Sequence, residues 1–201
     1  MEKAVFIDRD GVINEMVYFQ ERGFVDSPFK PSQFVIIRGI PKALSLLKSL
    51  GYKTIIISNQ PGIAKKHLTM QAFESIQKKM HKELKRYNAF IDDEFYCFHH
   101  PDSKIKKYRK ICNCRKPKTQ MIKDAVNKHN INIKKSYVIG DGIVDMEMAK
   151  KIKCKSIFVG NVNSTILKIF KERKLTPNFI ASDLLRATNV IKKHSQEKLI
   201  F

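Results

Sequence analysis

Six short apolar runs, most of them closed by polar or glycine residues, predict strands at 4–8, 53–58, 94–98, 136–140, 156–159 and 178–181. Between them apolar residues recur at helical spacing. One such pattern covers 40–50 and is closed by Gly51, a residue suited to a helix C-cap. In the next, Thr69 stands as N-cap before the stripe Met70, Phe73, Ile76, Met80, Leu84 and Tyr87. Met121, Ile122, Ala125 and Val126 mark a third helix, and Met146, Ala149 and Ile152 a shorter one. Ser182 or Asp183 caps a last helix that runs to about Lys193. Strands alternating with helices in this way predict an α/β fold with a doubly wound, mainly parallel sheet. Segment 14–38 is too long for an ordinary connection and reads as an irregular substrate loop. With no internal repeat or low-complexity linker, the 201 residues read as a single domain.

The strand ends carry the candidate chemistry. Val5-Phe6-Ile7-Asp8-Arg9-Asp10-Gly11 ends a buried strand in two acids one residue apart, followed by a glycine that permits a tight turn. Open α/β sheets bind ligands at the carboxyl ends of their strands. There, one carboxylate can serve as nucleophile or metal ligand while the other handles protons. A second strand runs into Ser58-Asn59-Gln60-Pro61-Gly62, whose hydroxyl and amide can donate hydrogen bonds to phosphate oxygens. Arg115-Lys116-Pro117 brings a planar fork and a point charge to the start of a helix. Gly140-Asp141-Gly142-Ile143-Val144-Asp145 follows another strand; Asp141 suits a hard cation such as Mg²⁺. Asp145 is open to two readings, a site acid or a first-turn acid favoured by the helix dipole.

Charge and cysteine use narrow the setting. A net charge of +20, from 39 basic and 19 acidic residues, attracts anions such as phosphorylated metabolites or nucleic acid. The excess is spread over positions such as Lys78, Lys82, Lys85, Lys150 and Lys192, which read as solvated helix faces, not as a nucleic-acid platform. No run approaches the ~20 apolar residues that span a bilayer, and the chain shows no signal-peptide pattern, so a cytoplasmic location is expected. In that compartment cysteines are reduced or hold metal. Cys97, His99, Cys112 and Cys114 fall within eighteen residues and make a Cys₃His set of the kind that closes a structural zinc site. This loop, at about 97–117, leads directly into Arg115 and Lys116, so folding it around Zn²⁺ fixes two phosphate-binding cations in advance. Cys154 reads as a core thiol.

The ordered set Asp8-x-Asp10-Gly11, Ser58-Asn59, Lys116-Pro117 and Gly140-Asp141-x-x-x-Asp145 resembles the four motifs of the haloacid dehalogenase-like phosphatases. The resemblance implies a Rossmann-like core with no cap domain or a minimal one. It further implies that Asp8 is the nucleophile and Asp10 the general acid and base. Ser58 and Lys116 would stabilise the phosphoryl group, and Mg²⁺ would be held by Asp8, the backbone carbonyl of Asp10, and Asp141. The zinc loop, with Cys97-x-His99-x-Pro101 and Cys112-x-Cys114-Arg115-Lys116-Pro117, is similar to the branch that contains heptose 1,7-bisphosphate and histidinol-phosphate phosphatases. The long gap before Cys112, the opening Asp8–Asn14 run, and Asn59-Gln60 favour the heptose side. By that resemblance Arg115 and Asn59 contact substrate, a small phosphorylated sugar that loses its C7 phosphate, and the protein is expected to act as a monomer. Two positions depart from the pattern: Gly142 stands where those enzymes usually carry a Lys, and Pro61 replaces a small residue. Histidinol phosphate, or another small phosphomonoester, is the alternative substrate; a basic zinc-containing nucleic-acid-binding protein is the distant alternative function.

Overall fold

The computed structural model describes residues 1–197. In chain order the elements are β1 (Lys3–Ile7), β2 (Val17–Phe19), β3 (Phe24–Asp26), α1 (Ile40–Ser49), β4 (Tyr52–Asn59), α2 (Met70–Lys85) and β5 (Asp93–Cys97). They continue with α3 (Gln120–His129), β6 (Tyr137–Gly140), α4 (Ile143–Lys151), β7 (Lys155–Val159), α5 (Ser164–Glu172), β8 (Phe179–Ala181) and α6 (Leu184–Glu197). Six strands form one parallel sheet in the order β5-β4-β1-β6-β7-β8. β1 therefore lies centrally, between β4 and β6, at the point where the chain changes its direction of growth across the sheet. That is where doubly wound sheets open a crevice at their carboxyl ends.

Both faces are buried at the centre of the sheet, so β1, β6 and β7 are nearly continuous in apolar residues. Val5 and Ile7 of β1 point into one core, shared with Leu44 of α1, Ile76 and Met80 of α2, and Leu184 and Ile191 of α6. Ala4 and Phe6 point into the other, against Met121, Ile122 and Ala125 of α3 and Met148 of α4. Helix ends match the capping residues in the sequence: Thr69 Oγ1 accepts the Ala72 N–H at 3.1 Å, and Asp183 Oδ1 accepts the Arg186 N–H at 2.8 Å.

Two features differ from the sequence-based expectation. Segment 14–38 is not irregular throughout: β2 and β3 pair antiparallel in it, with Gly23 at φ +62° in the turn. Phe19 stacks on Phe24 and Phe29 at centroid distances of 5.3 and 4.5 Å, and Phe29 lies 5.1 Å from the His67 ring, so the hairpin packs on the loop after β4. Helix α5 was not expected at all. Ile166, Ile169 and Phe170 fall at helical spacing in it, but the stripe is short and only Phe170 is buried.

Candidate active site

The site is built from four loops at the carboxyl edge of the sheet. Asp8 directly follows β1, and its N–H still pairs with Ile139 O at 2.9 Å, so the sheet itself fixes its position. Asp8 Oδ1 accepts the Arg9 N–H at 2.7 Å. Gly11 then turns the chain at φ +82°, and a Cβ there would stand 2.0 Å from Asp141 Oδ2. Glycine is needed at this position for both reasons, the left-handed backbone and the close approach of a carboxylate.

Lys116 joins the motifs. It is buried, and its ammonium lies 2.8 Å from Asp8 Oδ2 and 2.7 Å from Asp145 Oδ1. The two carboxylates outweigh burial and raise its pKa, so it stays charged. Its backbone is clamped to β4: Asn59 Oδ1 accepts the Lys116 N–H at 2.9 Å, and Asn59 Nδ2 donates to Lys116 O at 3.2 Å. Asp145 is also buried and accepts the Gly142 N–H at 3.2 Å. It thus belongs to the site and also caps the start of α4, which combines both readings that its spacing allowed.

Asp8, Asp141 and Asp145 each bring an oxygen within 4.8 Å of the others. Three carboxylates face one ammonium, and the imbalance shows in the acids. Burial, then repulsion by Asp8 and Asp145, pushes Asp141 up to about 7. Burial pushes Asp145 up to about 6, with Asp8 adding to the shift and Lys116 opposing it. Oxygen donors with excess negative charge suit a hard divalent cation.

The Asp10 carboxylate is held apart from this cluster. It accepts from Arg9 Nη2 at 3.0 and 3.1 Å, from Asn14 Nδ2 at 3.0 Å, and from Gln60 Nε2 at 2.5 Å. Gln60 also donates to Ser58 Oγ at 3.1 Å, which links the Asp10 and Ser58 side chains through one amide. Arg9 and Gln60 are both buried, and neither was singled out for a role from the sequence.

Beyond β5, the Sγ atoms of Cys97, Cys112 and Cys114 lie 3.2 to 3.5 Å apart, and His99 Nδ1 is 3.2 Å from Cys114 Sγ. These separations are well beyond a covalent S–S bond and somewhat shorter than the edge of about 3.8 Å implied by tetrahedral Zn–S distances. All four cysteines are free thiols, and Cys154 is buried away from this set. Arg115, next along the chain, donates to His99 O at 3.3 Å.

Comparison with known proteins supplies the family. A family model described as HAD-hydrolase-like matches residues 113–187. D-glycero-beta-D-manno-heptose-1,7-bisphosphate 7-phosphatase from Salmonella typhi is 30% identical over 198 residues, covering 96% of this chain and 97% of its own length. Its counterpart from Pasteurella multocida is 31% identical over 192 residues, with 96% and 98% covered. The chain belongs to this family of haloacid dehalogenase-like phosphatases. Among solved structures, the D,D-heptose 1,7-bisphosphate phosphatase from B. bronchiseptica, crystallised with magnesium and phosphate, superposes with a TM-score of 0.76 at 23% identity. That alignment covers 96% of this chain and 99% of the other.

Within this phosphatase fold, Asp8 and Asp141 follow β1 and β6, Ser58 and Asn59 end β4, and Lys116 comes from the loop that leads into α3. Asp10 is tied to Ser58 by Gln60, and Arg115 stands on the zinc-loop side of Lys116. Gly142 is an N-cap whose added Cβ would stand 2.8 Å from Asp145 Oδ2, so a side chain there would press on the carboxylate that holds Lys116.

Proposed function

We propose that the protein removes the C7 phosphate of D-glycero-D-manno-heptose 1,7-bisphosphate through a covalent phosphate on Asp8. The names of its full-length relatives support the substrate. The observation that carries the chemistry is Lys116 held between Asp8 and Asp145 beside Asp141. Phosphoryl transfer depends mainly on alignment and charge stabilisation, and this arrangement supplies both.

In the first half-reaction an Asp8 oxygen forms a bond to phosphorus while the bond from phosphorus to the sugar oxygen breaks. Asp10 gives that oxygen its proton. In the second, Asp10 takes a proton from water, the water oxygen bonds to phosphorus, and the Asp8–phosphorus bond breaks, releasing inorganic phosphate. Lys116 neutralises charge on the phosphoryl oxygens, with Ser58 donating beside it. Asn59 acts by fixing the Lys116 backbone, and Arg115 faces the remainder of the substrate. Mg²⁺, when bound by Asp8, Asp141 and the Asp10 carbonyl, neutralises the carboxylates and polarises the phosphoryl group. Zn²⁺ on Cys97, His99, Cys112 and Cys114 has a structural role, shaping the loop that ends in Arg115 and Lys116. The reading takes the protein as a single-domain monomer without a large cap. The free thiols suit the cytoplasm. No helix among the described residues is long and apolar enough to cross a membrane.

Phosphate release with Mg²⁺ tests the reading, using both anomers of the heptose bisphosphate, fructose 1,6-bisphosphate, histidinol phosphate and a 3′-phosphorylated oligonucleotide. A heptose anomer is expected to show the highest kcat/KM, with no turnover in Asp8→Asn. Turnover that survives Asp8→Asn sinks the mechanism, and preference for another substrate sinks the sugar assignment.

A further inference from the structure

The buried Arg9 guanidinium is held on two sides. Toward the site, it binds the Asp10 carboxylate through Nε at 3.2 Å and Nη2 at 3.0 Å, and Nη2 also donates to Gln60 Oε1 at 3.0 Å. Away from the site, Nη1 donates to Gln77 Oε1 of α2 at 2.8 Å. The Phe73 and Tyr96 rings lie 5.4 and 5.9 Å from its Cζ atom and close off the apolar sides.

Gln77 is itself fixed in one sense. Its Nε2 donates to Glu94 Oε2 and to the Tyr96 hydroxyl, Tyr96 donates to the same Glu94 oxygen at 2.9 Å, and His81 Nε2 lies 2.6 Å from Glu94 Oε1. Turning the amide over would aim its N–H groups at a guanidinium and its carbonyl at a carboxylate, two unfavourable contacts at once. Being neutral, Gln77 anchors Arg9 without competing with Asp10 for its charge. An acid at 77 would draw the guanidinium off Asp10, and an apolar residue would leave Nη1 buried without its acceptor.

We propose that Gln77 is a positioning residue of the reaction: by anchoring Arg9 it sets the orientation of the Asp10 carboxylate that exchanges the leaving-group proton. Glu94 and Tyr96 orient Gln77 in turn, so the network runs from the β5–α2 contact to the reacting oxygen. The proposal rests on the assignment of Asp10 as general acid, and its predicted signature is specific to proton donation. A sugar alkoxide needs a proton as it leaves, whereas a nitrophenolate does not.

The test compares wild type with Gln77→Leu and Glu94→Gln on the heptose bisphosphate and on p-nitrophenyl phosphate. For Gln77→Leu, kcat on the sugar is expected to fall ten- to hundredfold with KM within twofold, while kcat on the aryl phosphate falls less than threefold. Glu94→Gln, which keeps the shape and loosens the amide, is expected to lie between. Equal losses on both substrates overturn the proposal, as does a loss confined to KM. Independent of turnover, ¹⁵N spectra of the arginine side chains are expected to show hindered rotation of the Arg9 Nη1 group that is lost in Gln77→Leu. Rotation that stays hindered in the variant also overturns it. A wild-type protein without Asp8-dependent phosphate release refutes the phosphatase reading and the proposal with it, whereas Asp8-dependent release with Nη1 rotation unchanged in Gln77→Leu refutes the proposal alone.

Discussion

Asp141 concentrates the electrostatic problem of the site. It is a carboxyl pushed up to about 7 by burial and by its acidic neighbours, at a position where a cation requires the ionised form. Mg²⁺ binding is therefore expected to release protons, and affinity to fall by up to about tenfold per pH unit below about 7. Calorimetry in two buffers of different ionisation enthalpy checks this; affinity that is flat from pH 8 to 5.5 refutes it. The sign for stability is the reverse of an ordinary salt-bridged acid. Because folding raises this pKa, its contribution is fully present below the ordinary carboxylate range and is lost as pH rises through about 7. In chelator the melting temperature is thus expected to drop between pH 5 and 8 on this account, and Mg²⁺ to restore it at pH 8. Asp8 and Asp141 were legible in the sequence because each follows an apolar run, and Lys116 because of its place in the ordered set of motifs. Arg9 and Gln77 were not: side-chain hydrogen bonds between residues far apart in sequence leave no periodicity to read.

At the scale of elements, the loop from β5 to α3 links metal and catalysis. Its three cysteine sulfurs and imidazole converge immediately before Arg115 and Lys116, so loss of a metal held there should loosen both cations. Purified protein is expected to contain one zinc per chain. Cys112→Ser, or stripping with a chelator followed by added Mg²⁺, should lower kcat/KM about 10–100-fold and reduce the melting temperature. Metal analysis with steady-state kinetics checks this, and full activity in zinc-free protein refutes the structural role. All six sheet strands were legible: β1, β4, β6 and β7 are largely buried on both faces and give strong apolar signals, and the edge strands β5 and β8 give shorter ones. The hairpin was not, because β2 and β3 are three residues each, with no buried residue in either. Helix α5 escaped because its stripe of Ile166, Ile169 and Phe170 is only three residues long.

At the scale of the molecule, the +20 charge lies largely on exposed lysines such as Lys78, Lys82, Lys85, Lys150 and Lys192. The exception with a clear task is Lys116, buried among carboxylates. The order of the sheet has a consequence for folding. Ile7 pairs with Ile56 on one side and Ile139 on the other, so Asp8 meets Lys116 and Asp141 only after parallel pairings between distant parts of the chain. Parallel pairings of this kind are slow to form. If the clustered acids come together only beyond the folding barrier, their mutual repulsion speeds escape from the native state while leaving entry to it unchanged. In metal-free protein at pH 8, Asp141→Asn is accordingly expected to slow unfolding about tenfold and to change the folding rate less than twofold, as stopped-flow kinetics in denaturant would show. A faster folding limb would instead place the carboxylates together in the nucleus. On this view the catalytic cluster limits the lifetime of the native state, and magnesium lengthens it.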